Sequence, residues 1–268
     1  MRRSPRVRLC ATAAVSTLSV ALVTGCSGSG SGSGSGYGTR GRALNAAALD
    51  QLVIAEGELP GYEIRPTDPG TTAGDPPRSA EVACRPLLPL LAGTAPGTPA
   101  AQVSRTAAEK NGPETHATAL DGLSEDEAED AVRRSMDRDV TVITLASYGG
   151  NGAHRALRSV SGAVRACADG FGGTGPGVRT FTAFTREHAS DAGEESVAFA
   201  AEGGGSAAGA TRGPAGEGSA GGGSVHFQVV RHGGTLATYM TVNVGAMMAR
   251  RTYTVPARVI GAQSAKLR

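Results

Sequence analysis

The sequence predicts an α+β fold: an antiparallel sheet of about five to six strands with helices packed on one face, carried behind an export signal and a Ser-Gly tether. Three observations lead there. The N-terminus is basic, then apolar, and reaches a cysteine at Cys26. Helical and extended segments follow one another without the strict β-α alternation of a doubly wound sheet. From Gly177 onward apolar residues recur with period two, the repeat of half-buried strands.

Residues 1–25 have the three-part layout of an export signal. Arg2, Arg3, Arg6 and Arg8 make the start basic, Leu9 to Val23 is largely apolar, and Val23-Thr24-Gly25 are small or branched residues directly before Cys26. The apolar run, about 15 residues, is shorter than the roughly 20 that a membrane-spanning helix needs. Val23-Thr24-Gly25-Cys26 resembles a bacterial lipobox. The resemblance implies diacylglyceryl transfer to the Cys26 sulfur, cleavage before that residue, and a mature protein held on the outer face of the cell membrane by its lipid. Arg2-Arg3 hints at a twin-arginine route, but Ser4-Pro5-Arg6 fits that pattern poorly, and the route stays open. Residues 26–42, with Ser-Gly pairs from Ser27 to Gly36, read as a lipidated cysteine and flexible linker. Residues 43–268 read as a single domain.

Aromatic residues make up 4% of the chain and Trp is absent, so the core must be assembled mainly from Ala, Val and Leu. The formal charge of +2 depends on the four arginines of the signal; without them 22 basic residues stand against 24 acidic ones. That balance argues against a nucleic-acid partner, because a phosphate backbone calls for a clustered basic surface.

The elements then follow in order. Ala43 to Ala55 has helical composition and is broken at Leu59-Pro60-Gly61-Tyr62, where an extended stretch begins. Thr67 to Arg78, rich in Pro, Gly, Asp and Thr, is a loop. Leu87, Leu88, Leu90 and Leu91 form a short apolar segment that Pro86 and Pro89 limit to a turn or two of helix, with Cys84 at its start. Ala101 to Glu109 is a strand. Ser124-Glu125-Asp126-Glu127 is a capping box opening a helix to about Met136, with acids in its first turn and Arg133 and Arg134 in its last, as the helix dipole favours. Those acids lack the spacing of a calcium loop and read as a solvated helix start.

Val140 to Ala146 is apolar on both faces and predicts a central strand. Asn151 caps the next helix, which runs to Asp169 and stops at Gly170. At 100° per residue Leu157, Val160, Val164 and Cys167 fall within about 80°, one buried stripe, and Arg155, Arg158 and Arg165 lie away from it. Val178–Glu187, Glu195–Ala201, Val225–Arg231 and Thr235–Val244 are four strands in succession. The last two are joined by the hairpin signal His232-Gly233-Gly234-Thr235. Between the second and third, residues 202–224 are dominated by Gly, Ala and Ser and read as a disordered insertion. Pro256 starts a C-terminal helix bearing Val259, Ile260 and Leu267.

Cys10 leaves with the signal and Cys26 is taken by lipid, so Cys84 and Cys167 remain. In an oxidising compartment a disulfide between them is the default reading. Two buried free thiols, or a two-thiolate metal site, are the alternatives, and the latter lacks further ligands at short spacing.

Signs of catalysis are few. Gly170-Phe171-Gly172-Gly173-Thr174-Gly175 matches G-x-G-x-x-G but follows a helix and precedes a strand, the reverse of what a dinucleotide site needs. His116, His154, His188, His226 and His232 form no metal-ligand pattern. His226 and His232 share a strand face roughly 20 Å apart and read as solvent-face residues. No G-x-S-x-G elbow occurs. The expectation is therefore no catalytic centre, no metal and no cofactor.

With these elements in hand, Thr141 to Leu267 resembles the extracellular sensor domain of PknH-like mycobacterial kinases and of free-standing actinobacterial lipoproteins. The likeness lies in the Leu145-Ala146-Ser147-Tyr148 strand end, the helix carrying Ala163-Val164-Arg165-Ala166-Cys167, and the strands and terminal helix after it. It implies an α+β fold with a ligand cleft and no catalytic residues. The expected function is a surface-anchored, non-enzymatic ligand-binding or sensor-like lipoprotein, a monomer that meets the membrane through its lipid and takes a small-molecule or envelope ligand. A protein-interaction or envelope-assembly factor, and an extracytoplasmic hydrolase, are the rivals.

Overall fold

Val140–Ser147 is buried at nearly every position, on both sides of its pleat, and the architecture follows from covering it twice. The computed structural model describes residues 42–68, 78–79, 81–110, 124–174, 180–204 and 223–268, which all fall in one unit, Thr39–Arg268. In chain order the elements are α1 (Ala46–Leu52), β1 (Tyr62–Pro66), β2 (Arg78–Ser79), a 3-10 segment (Val82–Leu87) running into α2 (Leu88–Leu91), β3 (Ala101–Glu109), α3 (Glu125–Ser135), β4 (Val140–Ser147) and α4 (Gly152–Ala166). There follow β5 (Gly173–Thr174), β6 (Thr180–Glu187), β7 (Glu195–Gly204), β8 (Ser224–His232), β9 (Thr235–Val242), α5 (Val244–Met248) and α6 (Ala257–Ala265).

Seven strands form one antiparallel sheet in the order β1-β3-β4-β9-β8-β7-β6, and β2 pairs with β5 apart from it. The α+β class holds, with more strands than the five to six expected. The additional edge strand is β1, whose Tyr62 and Ile64 face the core while Glu63 and Arg65 are more open. It pairs with Arg105–Glu109 of β3.

The expectation of helices on one face is corrected: both faces are covered. On one, the disulfide face, α4, the 3-10 segment and α2 pack Leu157, Val160, Val164, Leu87 and Leu90 against Ala146, Phe199, Phe227, Val229 and Leu236. On the other, the terminal-helix face, Leu49, Val53 and Ile54 join Val259 and Ile260 of α6 over Ile143, Leu145, Tyr239 and Val230. The reason is visible in β4 itself: Ile143 and Leu145 point one way and Ala146 the other, so a single helical layer would leave one apolar set in water.

Local chemistry sets the ends of the elements. Asn45 caps α1 by accepting from Ala48 N at 2.9 Å. Ser124 and Glu127 make the expected capping box, Ser124 N donating to Glu127 Oε2 at 2.9 Å. Asn151 precedes α4 without making a side-chain cap, and α4 ends at Ala166, with Cys167 as its C-cap. Gly170, at φ +77, lets the chain pass under β6; a Cβ there would stand 2.1 Å from Phe181 O. Within the predicted insertion, residues 202–224, β7 runs on to Gly204 and β8 begins at Ser224. Residues 205–222 lie outside the described residues, as do 1–41 with Cys26 and the linker, and most of the 67–78 loop. Helix α5, which the period-two reading ran into as strand, starts where Asn243 Oδ1 accepts from Ala246 N at 2.8 Å. Its Gly245 lies against Asp137, where a Cβ would meet backbone at 2.6 Å.

Candidate functional site

The two cysteines of the domain meet. Cys84 and Cys167 are 0% and 2% exposed, their Cα atoms are 5.9 Å apart and their sulfurs lie at disulfide distance, 1.98 Å. The pair ties the 3-10 segment to the end of α4, where the buried stripe of that helix brings Cys167 inward. It is part of the core and offers no surface to a ligand.

The histidines fall in different parts of the fold. His154, on the first turn of α4, has Nδ1 3.1 Å from Glu195 Oε1; His188 is exposed; His116 lies outside the described residues. His232 is partly covered, and burial lowers its pKa. Among the described residues no three His, Cys, Asp or Glu side chains come together as metal ligands.

His226 departs from expectation. It is 8% exposed, not a solvent-face residue, because on the terminal-helix face Tyr253 packs against it and Glu187 reaches it across β7. On β7 that face carries Ala198 and Ala200, both buried. Ala200 stands opposite His226 of β8, and Ala198 opposite Glu187 of β6. Two alanines in this place form a saddle low enough for His226 and Glu187 to reach each other across β7, although their strands are nearly 10 Å apart at about 4.8 Å per neighbour. His226 Nδ1 lies 2.8 Å from Glu187 Oε1.

Around this pair the strand positions are polar. Gln228, 3% exposed, donates from Nε2 to Ser190 Oγ in the β6–β7 connection. Thr241, beside His226 on β9, meets Thr141 of β4 at 2.9 Å between hydroxyls. Tyr253 closes the site from the segment before α6: its ring stands edge-on to His226 at 4.3 Å, and its hydroxyl donates to Ser224 O. Burial pushes the Tyr253 phenol up to about 12, so it remains a donor at neutral pH. His226, Glu187, Gln228, Ser190 and Tyr253 thus make a polar constellation at the edge of the core. Its histidine is oriented by a carboxylate.

An open depression of about 420 Å³ lies between Pro89, Thr94, Pro99 and Gln102. Of the polar groups lining it, Thr94 Oγ1 donates to Pro89 O at 2.9 Å and Gln102 Oε1 accepts from Ala95 N at 3.2 Å. No helix of the described residues is long and apolar enough to cross a membrane. No known protein family matches the chain, and no curated protein does.

At the far end of the sheet Arg231 lies between Glu194 and Glu195, at 2.5 and 3.1 Å. Desolvation would raise the Glu195 pKa, but Arg231 and His154 outweigh it and hold the carboxyl below its ordinary range. Asp137 is held down by Arg251, and Glu58 by Lys266. In each case the folded pKa is the lower one, so the stabilisation is complete above the unfolded pKa and is lost as pH falls through the folded value. Thermal melts should therefore change little between about pH 5 and 7 on account of these groups and decline below about pH 4. Glu195→Gln should lessen that decline; an acid limb unchanged in the variant would remove Glu195 from the account.

Proposed function

We propose that the protein is an exported, lipid-anchored and non-enzymatic domain that binds a ligand on the outer part of its sheet, in the manner of a sensor domain. The observation that supports this most is the His226–Glu187–Gln228–Tyr253 constellation, a cluster of polar side chains gathered from β6, β8 and the segment before α6 around two buried alanines. The resemblance to the PknH-like sensor domains points the same way, and so does the lipobox before Cys26. Loading on the membrane surface would then be sensed where β6, β7 and β8 meet the Tyr253 segment.

A protein-interaction role is the second reading. Its support is the apolar set exposed on paired helices, Val132 of α3 at 42% and Val244 and Met248 of α5 at 46% and 58%. Three side chains make a small patch next to the several hundred Å² usual at interfaces.

Native and denaturing mass spectrometry of the membrane-extracted protein tests the proposal. The expected denatured mass is that of a chain beginning at Cys26 plus a diacylglyceryl adduct; the expected native spectrum adds a small molecule that His226→Phe and Gln228→Leu both lose. A native spectrum free of any adduct, equal in wild type and variants, would argue against a ligand at this site. An unlipidated mass would separately remove the anchor.

A further inference from the structure

The outer side of α4 is basic along its length. Arg155, Arg158 and Arg165 are all exposed, and at 100° per residue they fall within an arc of about 80°. Gly162 lies between them on the same side, with open space where its Cβ would stand. From Arg155 to Arg165 the helix rises about 15 Å. Among the described residues none of the three is paired with an acid, whereas Arg231, Arg251 and Arg105 all are. Glu195 comes up to the N-terminal part of the stripe through His154, whose Nδ1 lies 3.1 Å from Glu195 Oε1, and Glu81 and Asp169 are exposed near its Cys167 end. In a mature chain with slightly more acids than bases this is a local reversal of charge.

We propose that this stripe docks the domain on anionic lipid headgroups of the membrane that holds it. Guanidinium groups bind phosphate oxygens through paired N–H donors, and three on one helix face present a row of such forks to a flat anionic surface. The geometry of the chain permits the approach. Fifteen residues separate Cys26 from Arg42, a contour of about 50 Å at most, which exceeds the thickness of a sheet with one helical layer. The chain enters the domain at Leu44, whose N–H donates to Ser147 Oγ at 2.8 Å, two residues before Gly149 and the turn that leads into α4. The N-terminal end of α4 and the point of attachment thus share one end of the sheet. Docked this way, the disulfide face lies toward the lipid and the terminal-helix face, with the His226 constellation, stays open to the outside.

This inference rests on the proposed anchor only for its setting, and the experiment separates the two. The full protein, extracted from its membrane and carrying Ser159→Cys labelled with an environment-sensitive dye, is mixed with vesicles of phosphatidylcholine, alone or with phosphatidylglycerol. Sedimentation reports anchoring, and the dye reports docking of α4. The expected result is a dye shift on the phosphatidylglycerol vesicles alone, weakened by salt. In R155Q/R158Q/R165Q the docked-to-free ratio should fall on the order of a hundredfold, near fivefold for each arginine, with the thermal midpoint unchanged. Equal dye signals on the two vesicle types, or a signal that survives the triple substitution, would overturn docking. Protein that fails to sediment with neutral vesicles would remove the anchor, and docking would then be read from sedimentation with the anionic vesicles.

Discussion

Replacing Cys84 and Cys167 together by alanine should lower the thermal midpoint by about 10–20 °C. The cysteines are separated by 83 positions, and closing a loop of that length restricts the unfolded chain by about 4–5 kcal/mol in the chain-entropy account. For a domain of about 150–250 residues each kcal/mol moves the midpoint by roughly 2–4 °C. The effect is large because the 3-10 segment and α2 are short and depend on it. Leu87 and Leu90, both fully buried, reach the core from a stretch that two prolines keep from becoming a longer helix. Hydrogen exchange should rise first in this segment and at the end of α4. Melts of the wild type that are indifferent to reductant, under conditions where free thiols are then detected, would contradict the assignment.

Phe199→Ala should destabilise the fold by about 3–5 kcal/mol. Phe199 is fully buried on β7, stacked on Phe227 at 4.9 Å and 6.2 Å from Phe184, which in turn stacks on Phe171 at 5.4 Å. All five phenylalanines of the chain belong to this array on the disulfide face. Removing its centre leaves a cavity lined by rings that hold one another in place. A domain of ordinary stability, about 5–15 kcal/mol, would lose a large part of it. Denaturant unfolding of Phe199→Ala beside the exposed-position control Thr182→Ala measures the difference; a loss below about 1 kcal/mol would mean that the neighbours close the gap.

These two expectations differ in how far the sequence announced them. The disulfide was legible because each cysteine carried its own argument: Cys167 fell on the buried stripe of an amphipathic helix and Cys84 on a leucine-rich segment. The phenylalanine array was not, since Phe171, Phe181, Phe184, Phe199 and Phe227 come from a loop and three strands, and only strand pairing aligns them. His226 shows the same limit more sharply. His226 and Gln228 alternate with Val225, Phe227 and Val229, the pattern of a strand with a wet face. That face is dry because Tyr253 and Ser190 arrive from distant segments, and Glu187 reaches His226 only where β7 carries alanine. The pairing of Ala198 and Ala200 with polar neighbours was a signal in principle, but it has meaning only once the register is known.

By itself the sequence determined the segments whose signals are local: the capping box at Ser124, the strand at Ala101–Glu109, the turn at Gly233, the amphipathic stripe of α4 and the strands after it, because a few neighbouring residues contain all the physics of a cap, a turn or a period. It also held the resemblance to an export signal and a lipobox, which are properties of a linear motif. The tertiary structure decided what depends on partners far apart in the chain: a sheet covered on two faces instead of one, the enclosure of His226, and the separation of an arginine-lined side from a side that carries the polar constellation. Burial is a property of what lies opposite, and the opposite residue is supplied by register and layer packing.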